Sequence, residues 1–470
     1  MSTAGHLPKI LQHFRRAVET GLARGYGPDD NRMWMSSLDT RTGRYPEHDE
    51  RPDGISKRCY RWIEAPRGCN LYWDTPQLVA ALNLARLEGG EGLELAAGDY
   101  VRDFLARCVA PTGMLLWGNH YYYDAFQGCT LSFTGSRPPT PCDMASETGD
   151  LHEARPIPPA WELLWRVDPA QTERAIRVML QRHLFDPAAG GFNRHADGKS
   201  GCAFLEAGGI LVESAAWLHE KTGDCALLDR AAHIAAWSFN HRSPATGLLE
   251  NNPTQPRWDK VMATSEVGLW GGSLLRASGR LPVLRDMARR GVAAWVTPAY
   301  DAAARRYYGR LRVADAAPDL GPKTTEYQPG EHSDFWDPLF PAHDYPFQMA
   351  ECCVELSRLT GEALFSEAVR RWADSLLSRP PRDGRGGYAE HYGRAIHFLL
   401  RASDLLAEPV WSRAAQRLAD DAVRHLWTGE MFRSHPGEDR CDAVDGLGYL
   451  ALALVRLELG REPEMFGSGW

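Results

Sequence analysis

Residues 206–239 read EAGGILVESAAWLHEKTGDCALLDRAAHIAAWSF: an apolar helix carrying Gly208 and Gly209, a short turn at Lys221-Thr222-Gly223-Asp224, then a more amphipathic helix running back. The same unit recurs around turns at Leu87-Glu88-Gly89-Gly90, Arg276-Ala277-Ser278-Gly279, Leu359-Thr360-Gly361-Glu362 and Arg401-Ala402-Ser403-Asp404. Recurrence of one supersecondary unit every roughly 45 to 80 residues marks a helical array, because a single hairpin cannot bury its apolar face without neighbours. The spacing predicts helix pairs at 75–87 with 95–107, 160–166 with 170–183, 206–221 with 226–239, 266–277 with 282–295, 347–359 with 364–377, and 392–402 with 409–427. A final apolar helix at 444–457 needs a partner. The segment 7–23, with its stripe of Ile10, Leu11, Phe14, Val18 and Leu22, supplies one by joining the two ends of the chain. The first member of each pair is Gly- and Ala-rich and nearly all apolar, as in Gly268-Leu269-Trp270-Gly271-Gly272, whereas the second is Arg-rich. Inner and outer rings follow from that difference.

Composition removes several classes of function. Hydrophobic content of 44% with 24% charged residues is ordinary for a soluble protein, while 16 Trp, 16 Tyr and 15 Phe provide a surplus of aromatic surface suited to stacking on rings. A net charge of -8, with Lys and Arg spread along the chain, offers no basic face for nucleic acid. No window is apolar for long enough to span a bilayer, and Met1 to Lys9 carry no apolar leader core, which gives a cytoplasmic expectation. Ten dispersed cysteines read as reduced thiols, with Cys352-Cys353 a buried structural pair in an apolar helix. The stretch 25–70 is rich in Pro, Gly and Asp yet contains Met33, Trp34, Met35, Tyr60 and Trp62, so it reads as an ordered loop over one rim.

Six or seven concentric helix pairs resemble the (α/α) toroid shared by many glycoside hydrolases, polysaccharide lyases and sugar epimerases. The resemblance implies an all-α fold, an (α/α)6 or (α/α)7 toroid with long rim loops, occupying residues 1–470 as one domain. It also implies a carbohydrate substrate, by analogy of architecture alone.

In such a ring the loops leading into the inner helices surround the central cavity, and polar and aromatic residues gather there. The clusters are Asn70 to Asp74, with Trp73 and Asp74; Trp117 to Asp124; Asn193, Arg194 and His195; Glu326 to Asp344, with Trp336 and Asp337; Glu390 to Arg394; and His435 to Asp442. Cleavage of a uronic-acid chain by β-elimination needs a base at the sugar C5 proton, an acid for the leaving oxygen, and neutralisation of the carboxylate. Asn119-His120-Tyr121 is similar to the Asn-His-aromatic segment of toroid alginate lyases. That likeness implies Asn119 as carboxylate binder, His120 as proton acceptor, and Tyr121 or Tyr122 as acid. Arg194 and Arg394 are further carboxylate clamps, since a guanidinium grips a carboxylate through two parallel hydrogen bonds. The catalytic candidates are thus His120, Tyr121, Tyr122, His391, Tyr392 and Glu206. The substrate-binding candidates are Asn119, Trp73, Asp74, Trp117, Asn193, Arg194, His195, Trp336, Asp337 and Arg394.

Three alternatives stay open. A glycoside hydrolase needs two carboxyl groups about 5 to 10 Å apart, and Asp74, Asp124, Glu206, Glu266, Asp337 and Glu390 all open or precede inner helices. An epimerase would use two of His195, His332, His391 and His435. A non-enzymatic solenoid would show repeated hairpins too, but with short regular connections in place of these large loops. The sequence contains no metal-ligand motif and no cofactor motif, leaving a divalent metal open, and the partner expected is an oligosaccharide or polysaccharide, with no nucleic acid and no membrane. Oligomeric state leaves no mark in the sequence.

Overall fold

The computed structural model describes residues 5–470 except 47–66, 119, 133–139, 144–151, 326–327, 337–344, 380, 382–386 and 444–445. Inner helices are α2 (Leu71–Leu84), α4 (Trp161–Val167), α6 (Leu205–Thr222), α8 (Val267–Ala277), α10 (Tyr345–Thr360), α12 (Ala389–Leu406) and α14 (Leu447–Leu459). Outer helices are α3 (Leu93–Arg107), α5 (Pro169–Arg182), α7 (Ala226–Asn240), α9 (Val283–Ala299), α11 (Ala363–Leu377), α13 (Pro409–Leu426) and, from the start of the chain, α1 (Leu7–Thr20). Every residue of α2 is buried, whereas α5 buries only one stripe, Thr172, Ala175, Ile176, Met179 and Leu180, as its position between core and solvent requires.

The inner helices pack in sequence, α6 on α8, α8 on α10, α10 on α12, α12 on α14, and α14 back onto α2. From α2 to α6 the ring is completed through α4, which packs on α3 and α5, with α5 on α6 and the Trp161 Nε1–H donating to Ser214 Oγ of α6 at 3.0 Å; the result is an (α/α) toroid of seven pairs among the described residues. The first helix packs against the last, with Glu458 accepting a hydrogen bond from the Leu7 backbone N–H at 3.1 Å. Glycine in the inner helices permits the close approach. A Cβ at Gly448 would lie 2.2 Å from the backbone of Pro76, and one at Gly268 would lie 2.4 Å from the Cα of Met349.

Helix α4 has only two turns, and residues 460–470 bridge the gap beside it. Asn83 of α2 exchanges two hydrogen bonds with the backbone of Glu464, at 2.8 and 2.9 Å, and the Glu162 N–H donates to the Phe466 carbonyl at 3.0 Å. Short strands decorate the opposite, inner-helix N-terminal rim. They form a four-stranded antiparallel sheet of Gly68–Cys69, Tyr121–Asp124, Cys129–Ser132 and Thr140–Pro141, and a pairing of Ser37–Asp39 with Arg440–Asp442. The latter, with Met33, Trp34 and Met35 buried, shows that the described part of the 25–70 loop is ordered; Tyr60 and Trp62 lie outside the described residues. Among the described residues no helix is long and apolar enough to cross a membrane. Cys352 and Cys353 are buried free thiols in α10.

Candidate active site

Each inner helix is followed by a returning outer one, so the inner N-termini share one face of the ring. Three extended segments meet there. Trp117 pairs with His152 in parallel and Glu153 with His195 antiparallel; the Glu153 N–H donates to the Trp117 carbonyl at 2.9 Å and the Ala154 N–H to the Arg194 carbonyl at 2.9 Å. A buried histidine pair braces these strands. His183 Nδ1 lies 2.7 Å from the Asn193 carbonyl, which can only accept, so Nδ1 carries the proton. The bare His183 Nε2 then accepts from His152 Nδ1 at 2.9 Å, tying residues 152 and 193 to one support.

This bracing puts Glu153 at the centre of a charged cluster. Its carboxylate is 99% buried, with Oε1 3.8 Å from both His120 Nε2 and His195 Nδ1, and Oε2 3.4 Å from Arg155 Nη1. Burial works to raise the Glu153 pKa, but Arg155 and Arg194, helped by the two histidines, overcome it and hold the group below the usual range. Burial pushes His120 the other way, below its ordinary value, so at neutral pH it presents a neutral imidazole with a lone pair.

A second group of acids lies next to this one. Glu206, in the first turn of α6, and Glu266, at the N-cap of α8, are buried, and neither Glu206 Oε2 nor Glu266 Oε1 meets an N–H or O–H donor. Burial and the neighbouring Glu206 push Glu266 well above the ordinary range. The pair therefore holds one proton, on Glu266. Tyr345, the first residue of α10, feels both glutamates and, in the opposite sense, Arg155 and Arg194; burial and the glutamates dominate and keep its hydroxyl protonated. It links the two groups.

Several predicted residues are committed elsewhere. Tyr392 donates to Asp421 of α13 at 2.6 Å, so its hydroxyl faces the outer ring and is corrected to a packing role. Asp74 is corrected likewise: it accepts from Ser36 Oγ (2.8 Å), the Asn70 N–H (2.9 Å) and the Tyr100 hydroxyl (2.5 Å), and burial, against these bonds, lifts its pKa to about 7. Asn193 clamps its own loop, donating to Asp197 at 2.8 Å and accepting from the Cys202 N–H at 2.9 Å. Trp73 and Trp117 are buried around Tyr72, with ring centroids at 4.4 and 5.4 Å from it. Tyr122 falls on the face of its strand opposite to Tyr121 and packs with Leu131, away from the main core, while Tyr121 shares with Glu153 the space beside Gly118. His391 and Trp336 (ring centroids 6.4 Å apart) gather around the start of α12. Arg394 lies there too, bonded to Glu390 at 2.8 Å and stacked over Tyr449. Asn119 and Asp337 lie outside the described residues.

Glu153, Arg155 and Tyr345 are absent from the sequence-derived set. The signal for the first two is the charged run His152-Glu153-Ala154-Arg155 just ahead of a Pro-rich approach to α4, the same placement that marks the other clusters. Among the described residues no group of three or more His, Cys, Asp or Glu is placed to hold a metal ion.

The sequence profile of a family described as periplasmic pectate lyase matches residues 78–200, a minority of the chain that includes His120, Glu153, Arg155, Arg194 and His195. This match corrects the cytoplasmic expectation, since the family is described as periplasmic; that expectation rested on the apolarity of nine residues and on dispersed cysteines, neither of which reads a compartment. Among solved structures, the chain is similar to an unsaturated glucuronyl hydrolase from Bacillus sp. GL1 (16% identity, 69% of this chain and 90% of that chain, TM-score 0.45). It is also similar to an α-1,6-mannanase of Salegentibacter sp. (9%, 97% and 99%, 0.47) and to a cellobiose 2-epimerase from Bacillus thermoamylovorans (11%, 64% and 85%, 0.46).

Proposed function

We propose that the chain is a single toroid that cleaves a uronic-acid-containing glycan by β-elimination at the Glu153 cluster. The observation that carries this reading is a neutral His120 in one cluster with the Arg155 and Arg194 guanidinium groups, both of which act on the buried Glu153. Arg155 and Arg194 neutralise the substrate carboxylate, which acidifies the C5 proton; His120 takes that proton; the C5–H electron pair forms the C4=C5 double bond as the C4–O bond breaks; and the Tyr345 hydroxyl supplies the proton to the leaving oxygen. Glu153 positions the His120 imidazole and the Arg155 guanidinium around the substrate. The partial match to a pectate lyase family supports the reaction class.

The carboxylate-pair alternative is weaker on geometry. Hydrolysis needs a sugar, or a sugar and a water, between two carboxyl groups about 5 to 10 Å apart, and Glu206 and Glu266 are instead in direct contact. Incubation with a panel of acidic oligosaccharides, read by ultraviolet absorbance and by reducing ends, tests the reading. New absorbance from an unsaturated uronate is expected; reducing ends without it would mean hydrolysis, and an altered sugar with neither would mean epimerisation.

A further inference from the structure

Inside the ring lies a cavity of about 220 Å³, walled by α6, α8, α10 and α12. Its upper lining includes Glu206 and Pro156, the residue after Arg155 of the proposed site. Down α10 the lining runs from Gln348 to Glu355, seven residues or about 10 Å. Its floor is the tail, Met465 and Ser468 to Trp470, with Trp470 stacked on His397 at 3.5 Å between ring centroids. The volume falls below the roughly 300 to 1,000 Å³ of pockets for drug-sized ligands, leaving room for one sugar ring and none for a continuing chain.

The polar atoms on this wall are built to meet hydroxyls and a charge. Glu206 Oε2 and Gln348 Oε1 are buried acceptors with no donor. Arg276 is fixed by two bonds to Glu213, Nε to Oε1 at 2.6 Å and Nη2 to Oε2 at 2.7 Å, while Nη1 makes no hydrogen bond among the described residues. The Arg276 side chain is 42% exposed and lines the cavity beside the tail, a methyl placed on Gly469 lying 3.4 Å from its guanidinium carbon. Ile210, Leu269 and Trp470 supply apolar faces between the polar edges.

We propose that this cavity is a terminal subsite that takes the end sugar of the glycan, Arg276 Nη1 gripping its carboxylate while Glu206 and Gln348 accept from its hydroxyls, so that the enzyme acts from chain ends. The inference rests on the elimination reading for the location of cleavage, but the binding half stands without it. The enzyme acting on long polygalacturonate is expected to release one small unsaturated product from the first turnovers with little fall in viscosity. Gly272→Leu, whose side chain meets only the flexible end of Arg276 (Nη1, 3.4 Å from the new Cβ) as it enters the cavity, and Arg276→Met are each expected to raise KM at least tenfold with an unchanged circular dichroism spectrum. A broad ladder of products with an early viscosity drop, or a folded Gly272→Leu with unchanged kinetics, would overturn the subsite. If no uronate glycan is eliminated at all, the elimination reading fails separately, and ligand-observed NMR with galacturonic acid monomer decides the subsite. Binding to the wild type that both variants weaken tenfold sustains it, and no binding to the wild type overturns it.

Discussion

The two ends of the ring hold their charges differently. At the tail end, Glu351 bonds to His397 at 2.8 Å and to Arg401 at 2.6 Å, His397 to Glu462 at 3.0 Å, and Arg456 to Glu462 at 2.6 Å and Asp404 at 2.8 Å. At the rim, Glu153 stands 3.4 to 3.8 Å from its three cationic or imidazole neighbours. Short ion pairs close a structure, whereas charges held at longer range around a common focus suit a place where a ligand enters. The tail end locks the ring, and the rim is the place proposed for substrate.

Breaking one partner at the tail end is expected to have the largest effect. Arg401→Ala strands the buried Glu351 and should cost about 3 to 5 kcal/mol in urea unfolding, whereas Glu153→Gln at the rim should cost less than half as much stability while removing most turnover. Equal destabilisation by the two would erase the distinction. Burial acts to raise the Glu351 pKa, but His397 and Arg401 prevail and depress it from 4.5 to about 2. Its contribution is therefore present above pH 4.5 and lost as the pH falls toward 2, amounting to about 3 kcal/mol. Unfolding free energies measured across that window check the sign; a flat profile would show that the network carries no such linkage.

On the rim side, His120→Ala should lower kcat by about a hundredfold or more, the usual share of a positioned base. The depressed His120 pKa places the acid limb of kcat/KM below pH 6.5, and a limb above that value would deny His120 the role. The smallest effect belongs to Tyr392→Phe, which removes one hydrogen bond to Asp421, costs about 1 kcal/mol, and should leave kcat unchanged.

These contrasts also mark what the sequence discloses. The ring is legible because its inner helices are apolar all round, its outer ones striped, and its glycines sit where two backbones meet, as Gly448 does against Pro76. Side-chain direction is harder to read from runs of interesting residues. His391 and Tyr392 are neighbours on a helix, about 100° apart, so both cannot face one axis; Tyr121 and Tyr122 alternate across a strand for the same reason. Residues 152–155 form no periodic element, and only long-range strand pairing to residues 117 and 195 brings Glu153 between His120 and His195. Such partners leave no local signature. His120, Arg194 and His195, by contrast, stand in compact polar clusters ahead of inner helices and are visible at once.

The central claim is that chemistry occurs at Glu153 and His120 and not at the Glu206 and Glu266 pair. The direct measurement is the rate of unsaturated-uronate absorbance from an acidic oligosaccharide at saturating concentration for His120→Ala, Glu153→Gln and Glu266→Gln, with folding checked by circular dichroism. The account predicts a loss of about a hundredfold or more in kcat for the first two and a much smaller loss for Glu266→Gln. Abolished turnover in Glu266→Gln alongside active His120→Ala and Glu153→Gln would contradict it and favour a carboxylate-pair hydrolase.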